Sequence, residues 1–347
     1  MAPGSTADHL TQTSLASLQF VRFAAAFAVV FCHSLEIYRH AGGDNESFAA
    51  IARHGALGVP VFFVISGFVI YGAALRASSA AIFTRRRFGR IYPPLWAAVL
   101  LFLIVSWALG GSPVSPANIF RSLTLLDLDP TGDRNALFVA WTLSFEMLFY
   151  LTAAALLLLP LPARLPGAIA VLATSIVLVY SGWPWVPPLL ANPLIFSFVF
   201  GVAAARARIS VPLRLPVGGL GLAMWGLGLW MNFDTYPTYS TLLFGGGTAL
   251  VFAAGKYWDI TGGAAAIFRF AGDMSYALYL THPAILAAFQ LTGTQRQLAS
   301  SISPLGMVAV YCAAALLCGL LFHLVIERGV IGMTRRGWPA AAKPAGA

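Results

Sequence analysis

The sequence predicts an all-α polytopic membrane protein, built as a bundle of about ten transmembrane helices. Of its 347 residues, 59% are hydrophobic and only 10% are charged, and the mean hydropathy is +0.80. A soluble globular domain carries a far larger charged fraction, so this class is excluded. Glycine and proline clusters divide the apolar sequence at residues 110–113, 160–166, 183–188 and 236–237. The predicted spans are residues 15–38, 56–76, 91–110, 137–159, 166–182, 190–207, 216–232, 239–255, 273–292 and 304–327.

The distribution of basic residues predicts the orientation of these spans. If the N-terminus is cytoplasmic, fifteen of the 21 Lys and Arg residues lie on the cytoplasmic side, five on the other side, and Arg22 in the membrane. This bias is typical of cytoplasmic loops and places both termini in the cytoplasm. The chain then divides into a polar N-terminus (1–14), a transmembrane domain (15–331) and a basic tail (332–347). Basic loops account for the net charge of +9, so we expect membrane lipids as partners and no nucleic acid.

The first span carries two polar residues that share one face of the helix. Arg22 and His33 are eleven residues apart, which rotates them by only about 20° and separates them by about 16 Å along the axis. A charge inside a membrane span is a functional-site candidate, because it needs a partner or a polar cavity. Alternatively, Arg22 extends to the headgroups and His33 makes one interhelical hydrogen bond. The spacing leaves both interpretations open.

A second basic cluster lies at the predicted start of the third span. Arg87 and Arg90 are three residues apart, and Pro93 and Pro94 are expected to fix the start of the helix. Both guanidinium groups would then face the same way at a helix N-terminus, which favours anions. This arrangement suits a cytoplasmic ligand that carries phosphate groups. An anchor for anionic lipid headgroups fits these residues equally well.

Two later spans carry further polar residues. The fourth, residues 137–159, contains Trp141, which we interpret as packing, and places Glu146 at a depth similar to that of His33. An intramembrane carboxylate needs a partner, and an imidazole or an arginine is the natural one. In the ninth span, His282 either faces a cavity or is a satisfied core histidine, and Ser275, Tyr276 and Tyr279 lie close to it along the helix. No Cys/His cluster has metal-ligand spacing, so no metal is expected.

Five motifs together resemble a known family. They are Arg22 followed after ten residues by His33, FFVISGF at 62–68, RFGRIYP at 87–93, WTLSFEMLFY at 141–150 and SYALYLTH at 275–282. In this order, and over essentially the whole chain, they resemble the acyltransferase-3 family of integral membrane acyltransferases. The resemblance implies a bacterial inner-membrane enzyme that moves an acyl group, usually acetyl from acetyl-CoA, to a sugar hydroxyl of an exopolysaccharide, O-antigen or related glycoconjugate. Acetyl-CoA would be a co-substrate, and no bound cofactor is implied.

The resemblance also implies roles for individual residues. His33 would be essential, and Arg22, Arg87 and Arg90 would contribute to donor binding. We predict that His33 acts as general base on the acceptor hydroxyl, with its ring oriented by Glu146 or Glu36. The other site candidates are three polar groups that could steady the oxyanion and three of their neighbours: Ser66, Tyr279 and His282, and Ser275, Tyr276 and Trp141.

This mechanism requires that Arg22 and His33 line a passage that a cytosolic thioester can enter. A transporter or flippase of a lipid-linked glycan is the main alternative, because broken helices and buried charges suit that class too. A membrane-bound O-acyltransferase of a different architecture is a second one, which the Arg–His spacing does not resemble. The sequence leaves open the acceptor, the acyl chain, an acyl-histidine intermediate, the side of the membrane and a homodimeric state.

Overall fold

The computed structural model of the protein describes residues 15–127, 135–231, 239, 241–255, 260–293 and 301–329. The described residues contain helices and no β-strand, which confirms the all-α class. The helices are α1 (Ala16–His40), α2 (Glu46–Arg53), α3 (Gly58–Leu75), α4 (Ala80–Ala108), α5 (Pro116–Thr124), α6 (Trp141–Leu158), α7 (Leu161–Tyr180), α8 (Ile195–Arg206), α9 (Val211–Met231), α10 (Gly246–Gly255), α11 (Gly263–Thr292) and α12 (Pro304–Phe322). The predicted terminal segments, residues 1–14 and 332–347, lie outside the described residues.

Several helices have the length and composition of membrane spans. The six that meet both conditions in the described part of the chain are Ala16–His40, Glu46–Leu75, Ala80–Ala108, Phe138–Leu158, Leu161–Tyr180 and Pro304–Glu327. Ile195–Arg206 and Thr241–Gly255 are apolar but shorter. The chain is therefore a polytopic helical membrane protein, and the count of ten spans stays a prediction.

Helix α4 begins eleven residues before the predicted start of the third span. Ser79 caps its N-terminus, accepting a hydrogen bond from the backbone N–H of Ile82 at 3.2 Å. Pro93 and Pro94 lie inside the helix, as is tolerated in membrane helices whose neighbours satisfy the freed backbone groups. The prediction that these prolines start the helix is therefore wrong, and the predicted helix N-terminus beside Arg90 does not exist.

Two other helices also start earlier than predicted. Helix α11 begins at Gly263 and runs through Pro283 without a break, so Asp273 lies in its interior. Helix α7 resumes at Leu161 and contains Pro166, so the break predicted for 160–166 is limited to its first residue. Both helices contain a proline in their interior, where the rule for soluble helices predicts a boundary.

Glycines allow close contacts between neighbouring helices. Gly221 on α9 and Gly247 on α10 face each other, and a Cβ atom on either would overlap the carbonyl oxygen of the other. Gly67 on α3 and Gly201 on α8 meet the opposing backbone in the same way, at the carbonyls of Phe198 and Val64. Small residues at such positions are the usual means of close helix packing in membranes.

Helices α1 and α11 pack side by side and run parallel, and α12 packs against both. Gln19 touches Gly272 near one end, His33 meets His282 in the middle, and Glu36 bonds Gln290 towards the other end. The polar residues of α1 thus meet those of α11 at matching levels. This interface, together with α3, α4 and α6, positions the candidate site.

Candidate active site

A cavity of about 600 Å³ lies between α1, α3, α4, α6 and α11 and the segment that follows α12, residues 323–328. Its lining includes the arginines at positions 22, 86, 87, 90 and 328 and three acidic residues, Glu146, Asp273 and Glu327. We call this space the arginine cavity. Cations outnumber carboxylates in its wall, so the site favours an anionic ligand.

Arg22 faces the arginine cavity rather than extending to the headgroups. Its Nη1 donates a hydrogen bond of 2.9 Å to Oε1 of Gln19, one turn earlier on α1. The carboxylates of Glu146, Asp273 and Glu327 act on it electrostatically and partly offset the cost of holding a guanidinium in the bundle. For Arg22 the structure thus supports the polar cavity, whereas His33 lies outside this cavity and makes the interhelical hydrogen bond of the alternative interpretation.

Arg87 and Arg90 lie in the same cavity wall as Arg22, although no helix N-terminus lies beside them. The Arg87 guanidinium carbon lies 5.9 Å from the ring centroid of Phe83 and 6.0 Å from that of Tyr150. Its Nε is buried without a hydrogen-bond partner. A buried donor without a partner is costly, and an anionic ligand would satisfy it.

The two candidate carboxylates have partners other than His33. Oε1 of Glu146 accepts a hydrogen bond of 2.5 Å from Oγ of Ser66 inside the arginine cavity. Glu36 is exposed and accepts a hydrogen bond of 2.6 Å from Nε2 of Gln290. The geometry therefore gives neither carboxylate the position from which it would orient the His33 ring.

His33 instead pairs with the second candidate histidine. Its Nδ1 lies 3.2 Å from Nε2 of His282, and the two ring planes are inclined by 26° with centroids 5.1 Å apart. Phe138 lies edge-on to both rings, at 4.9 and 6.1 Å. His282 is fully buried and His33 is partly exposed. We call these two residues the histidine pair.

Three side chains separate the arginine cavity from the histidine pair. Phe62, Thr142 and Tyr279 line the cavity, whereas neither histidine is among its lining residues. The hydroxyls of Thr142 and Tyr279 lie 2.8 Å apart, and the Tyr279 ring lies 5.8 Å from Phe62 and 5.9 Å from His282. We call these three side chains the partition. The arginine cavity therefore does not reach His33 in this structure, and the expected open passage from Arg22 to His33 is not seen.

The remaining predicted candidates make hydrogen bonds to backbone carbonyl oxygens or pack against another ring. Tyr276 lines the cavity, and its hydroxyl donates to the carbonyl oxygen of Ile91 at 3.1 Å. Ser275 is buried and donates to the carbonyl oxygen of Gly272 at 2.6 Å. Trp141 packs edge-on against Phe145, as the packing interpretation predicts.

The sequence reasoning missed several residues of the cavity wall: Arg86, Tyr150, His323, Glu327 and Arg328. The spacing of His323 and Glu327 indicates only a local pair, and they do form one, with Nδ1 2.7 Å from Oε2. The π-helical turn that holds them, His323–Glu327, has no clear signal in the sequence. Such turns frequently lie at functional sites in other proteins.

The comparison with known proteins agrees with the family that the sequence motifs resemble. Residues 15–324 match the acyltransferase-3 family, described as an acyltransferase domain. No solved structure matches the chain significantly.

Among curated proteins, the chain is 27% identical to acyltransferase MdmB of Streptomyces mycarofaciens, with 95% of each chain covered. It is 28% identical to exopolysaccharide production protein ExoZ of Rhizobium meliloti (strain 1021), covering 82% of this chain and 90% of that one. It is also 29% identical to nodulation protein 10 of Rhizobium leguminosarum bv. viciae, over 41% and 44% of the two chains.

Proposed function

Because the chain belongs to the acyltransferase-3 family and is thus a membrane O-acyltransferase, we propose that it moves a short acyl group, acetyl in the first instance, from acetyl-CoA to a carbohydrate hydroxyl. The observation that carries this proposal is the arrangement of the arginine cavity, with the histidine pair behind its partition. The likeness to an exopolysaccharide production protein favours a sugar of a surface polysaccharide as the acceptor. The excess of basic residues near one membrane face favours a bacterial inner-membrane location with both termini in the cytoplasm.

The donor would enter the arginine cavity with its phosphates towards Arg87 and Arg90. Acetyl-CoA carries its phosphates at one end and its thioester at the end of a flexible arm. Unpaired Nε of Arg87 and the excess of cations in the wall suit those phosphates. From the level of Arg22, the arm would have to extend about 16 Å along α1 to reach His33. The thioester would then approach the partition from the cavity side.

In the proposed reaction, His33 removes the proton of the acceptor hydroxyl while that oxygen attacks the thioester carbonyl. The tetrahedral intermediate places a negative charge on the former carbonyl oxygen. The Tyr279 hydroxyl, which contacts Thr142 and the carbonyl oxygen of Val139 in this structure, would stabilise that charge once the partition opens. Collapse of the intermediate breaks the carbon–sulfur bond and releases the thiolate of CoA. This thiolate takes the proton from the His33 imidazolium, so the products are the sugar ester and free CoA.

The partition must open for this reaction, so the bulk of its three side chains should affect the rate of acyl transfer. Replacing Phe62 with tryptophan adds bulk beside Tyr279 and should hold the thioester away from His33. We expect the variant's kcat to fall about 10–100-fold, because a displacement of about 1 Å can have effects of this size. The KM for acetyl-CoA should change little, since the arginines are untouched. Release of CoA by purified protein gives both constants.

The matched control for this variant is Leu75→Trp, which adds the same side chain at an exposed position at the end of α3. It should leave kcat unchanged. If Phe62→Trp transfers acetyl at the unmodified rate, the thioester does not cross the partition.

The proposed activity can be tested before the acceptor is identified. Mass spectrometry of surface glycans from cells with and without the protein should reveal an acetyl group that depends on it. Glycan extracted from the deleted strain and treated with alkali, which removes ester groups, then serves as the acceptor in vitro. Purified protein should release free CoA from acetyl-CoA when this glycan is added. A transporter or flippase would release none, and that result would reject the proposal.

A further inference from the structure

The histidine pair is a polar contact at the centre of the α1–α11 interface. His282 is fully buried, and its Nε2 lies 3.2 Å from Nδ1 of His33. The two residues lie on different helices and are 249 positions apart in sequence. The family assignment and the named relatives give no role to this contact.

A hydrogen bond between two imidazole nitrogens needs one donor and one acceptor, so it fixes the tautomers of both rings. If His282 donates through Nε2, then Nδ1 of His33 accepts and its Nε2 carries the proton. In that state His33 cannot accept a proton from a hydroxyl at Nε2. If His33 donates through Nδ1, its Nε2 has a free lone pair and can act as a base. Only the second arrangement is catalytically competent.

We propose that His282 is a positioning residue that accepts a hydrogen bond from Nδ1–H of His33 and so keeps the base in its reactive tautomer; this inference rests on the proposed function. The role is the one that a carboxylate has in a Ser-His-Asp triad. Here the acceptor is a neutral imidazole. A neutral partner suits a buried position at mid-bundle, since a carboxylate there would need further hydrogen bonds or a cation.

Two further observations support this assignment. Glu146 and Glu36, the carboxylates that could have oriented the ring, are bonded to Ser66 and Gln290 instead. Nε2 of His282 lies at His33, and His282 is not among the residues that line the arginine cavity, from which the thioester would approach. Its Nδ1, which carries the proton in this arrangement, is buried and has no hydrogen-bond partner among the described residues. Tyr279, which lies between the pair and the arginine cavity, is the candidate for the oxyanion role that this proposal uses.

The test compares two substitutions of His282 that differ in one chemical property. In His282→Gln, the side-chain oxygen can accept the hydrogen bond from Nδ1–H of His33. In His282→Leu, the volume is largely kept and no acceptor remains. We expect the leucine variant to lose kcat by about 100-fold or more, because general-base catalysis contributes about 10²–10⁴-fold. The glutamine variant should retain at least a tenth of the original kcat. The KM for acetyl-CoA should be unchanged in both.

Full-length purified protein, acetyl-CoA and alkali-treated glycan from the deleted strain are used throughout, with thermal unfolding measured in parallel. Tyr311→Phe is the control, since it removes a buried hydroxyl that has no hydrogen-bond partner, on the helix next to the pair. Equal loss of kcat in the glutamine and leucine variants, whether or not unfolding temperatures fall, overturns the positioning role. If the unmodified protein releases no CoA at all, the proposed function itself is wrong. Equal loss of kcat in the two His282 variants, in contrast, rejects only the positioning role of His282.

Discussion

Replacing His33 with alanine is expected to abolish acetyl transfer. This substitution removes the base that accepts the proton of the acceptor hydroxyl in the proposed reaction. We expect kcat to fall by about 10²–10⁴-fold, the usual contribution of a positioned general base. Expression and membrane insertion should persist, because α1 keeps its apolar face and its packing against α11 and α12. The measurement is CoA release with glycan from the deleted strain.

Another histidine on the same helix offers a matched control. His40 is exposed, and its Nδ1 contacts the backbone carbonyl oxygen of Glu36 at 2.8 Å. His40→Ala should therefore leave kcat and the KM for acetyl-CoA unchanged. A His33→Ala variant that still acetylates glycan at the normal rate would remove His33 from the mechanism. Loss of activity in both variants would point to a general effect on α1 rather than to the base.

The first helix shows what local sequence patterns can predict and what they cannot. The predicted range 15–38 is close to the observed Ala16–His40, and Arg22 does face a polar cavity. Both results follow from hydropathy and the helical period, which depend only on nearby residues. The partner of His33 depends on the register of α1 against α11, which the sequence does not reveal. A carboxylate was therefore the predicted partner, where the structure has His282.

The spacing of Arg87 and Arg90 predicts that both face the same way, and both line one cavity wall, but the helix start predicted beside them is wrong. Pro93 and Pro94 suggested a helix start beside Arg90, whereas Ser79 provides the cap and the prolines lie inside α4. In a soluble helix two interior prolines would be costly, so the usual rule misplaced the boundary. Arg87 and Arg90 nevertheless share a cavity with Arg22, because a spacing of three keeps them on one face of a longer helix.

The partition could not be predicted from the sequence, for a different reason. Phe62, Thr142 and Tyr279 belong to three helices, and each is an ordinary residue for a membrane span. Their closure depends on rotamers and on a hydrogen bond of 2.8 Å between two hydroxyls. Such contacts are tertiary, and they decide whether a polar face is continuous with a cavity. The candidate residues could be named from the sequence, but the route between them could not.

Replacing Arg87 with glutamine is expected to weaken binding of the donor through its phosphates. A hydrogen bond to a charged group contributes about 1.5–3 kcal/mol, which corresponds to about a 10–100-fold rise in KM for acetyl-CoA. The KM for acetyl-pantetheine, a donor with the thioester arm and no phosphates, should not change. The preference of the enzyme for acetyl-CoA over acetyl-pantetheine should therefore fall, while kcat with either donor stays close to normal.

Arg85→Gln provides the matched control, since Arg85 lies two residues earlier on α4 and lines a separate groove outside the arginine cavity. It removes the same charge from the same helix without touching the cavity wall, so it should leave both KM values unchanged. An equal rise in KM in both arginine variants would indicate a general electrostatic effect of the basic segment. An Arg87→Gln variant that loses affinity equally for both donors would place Arg87 beside the thioester arm rather than the phosphates. In that case the direction of the donor in the cavity would have to be reversed, because the end that carries the phosphates would no longer lie at the arginines.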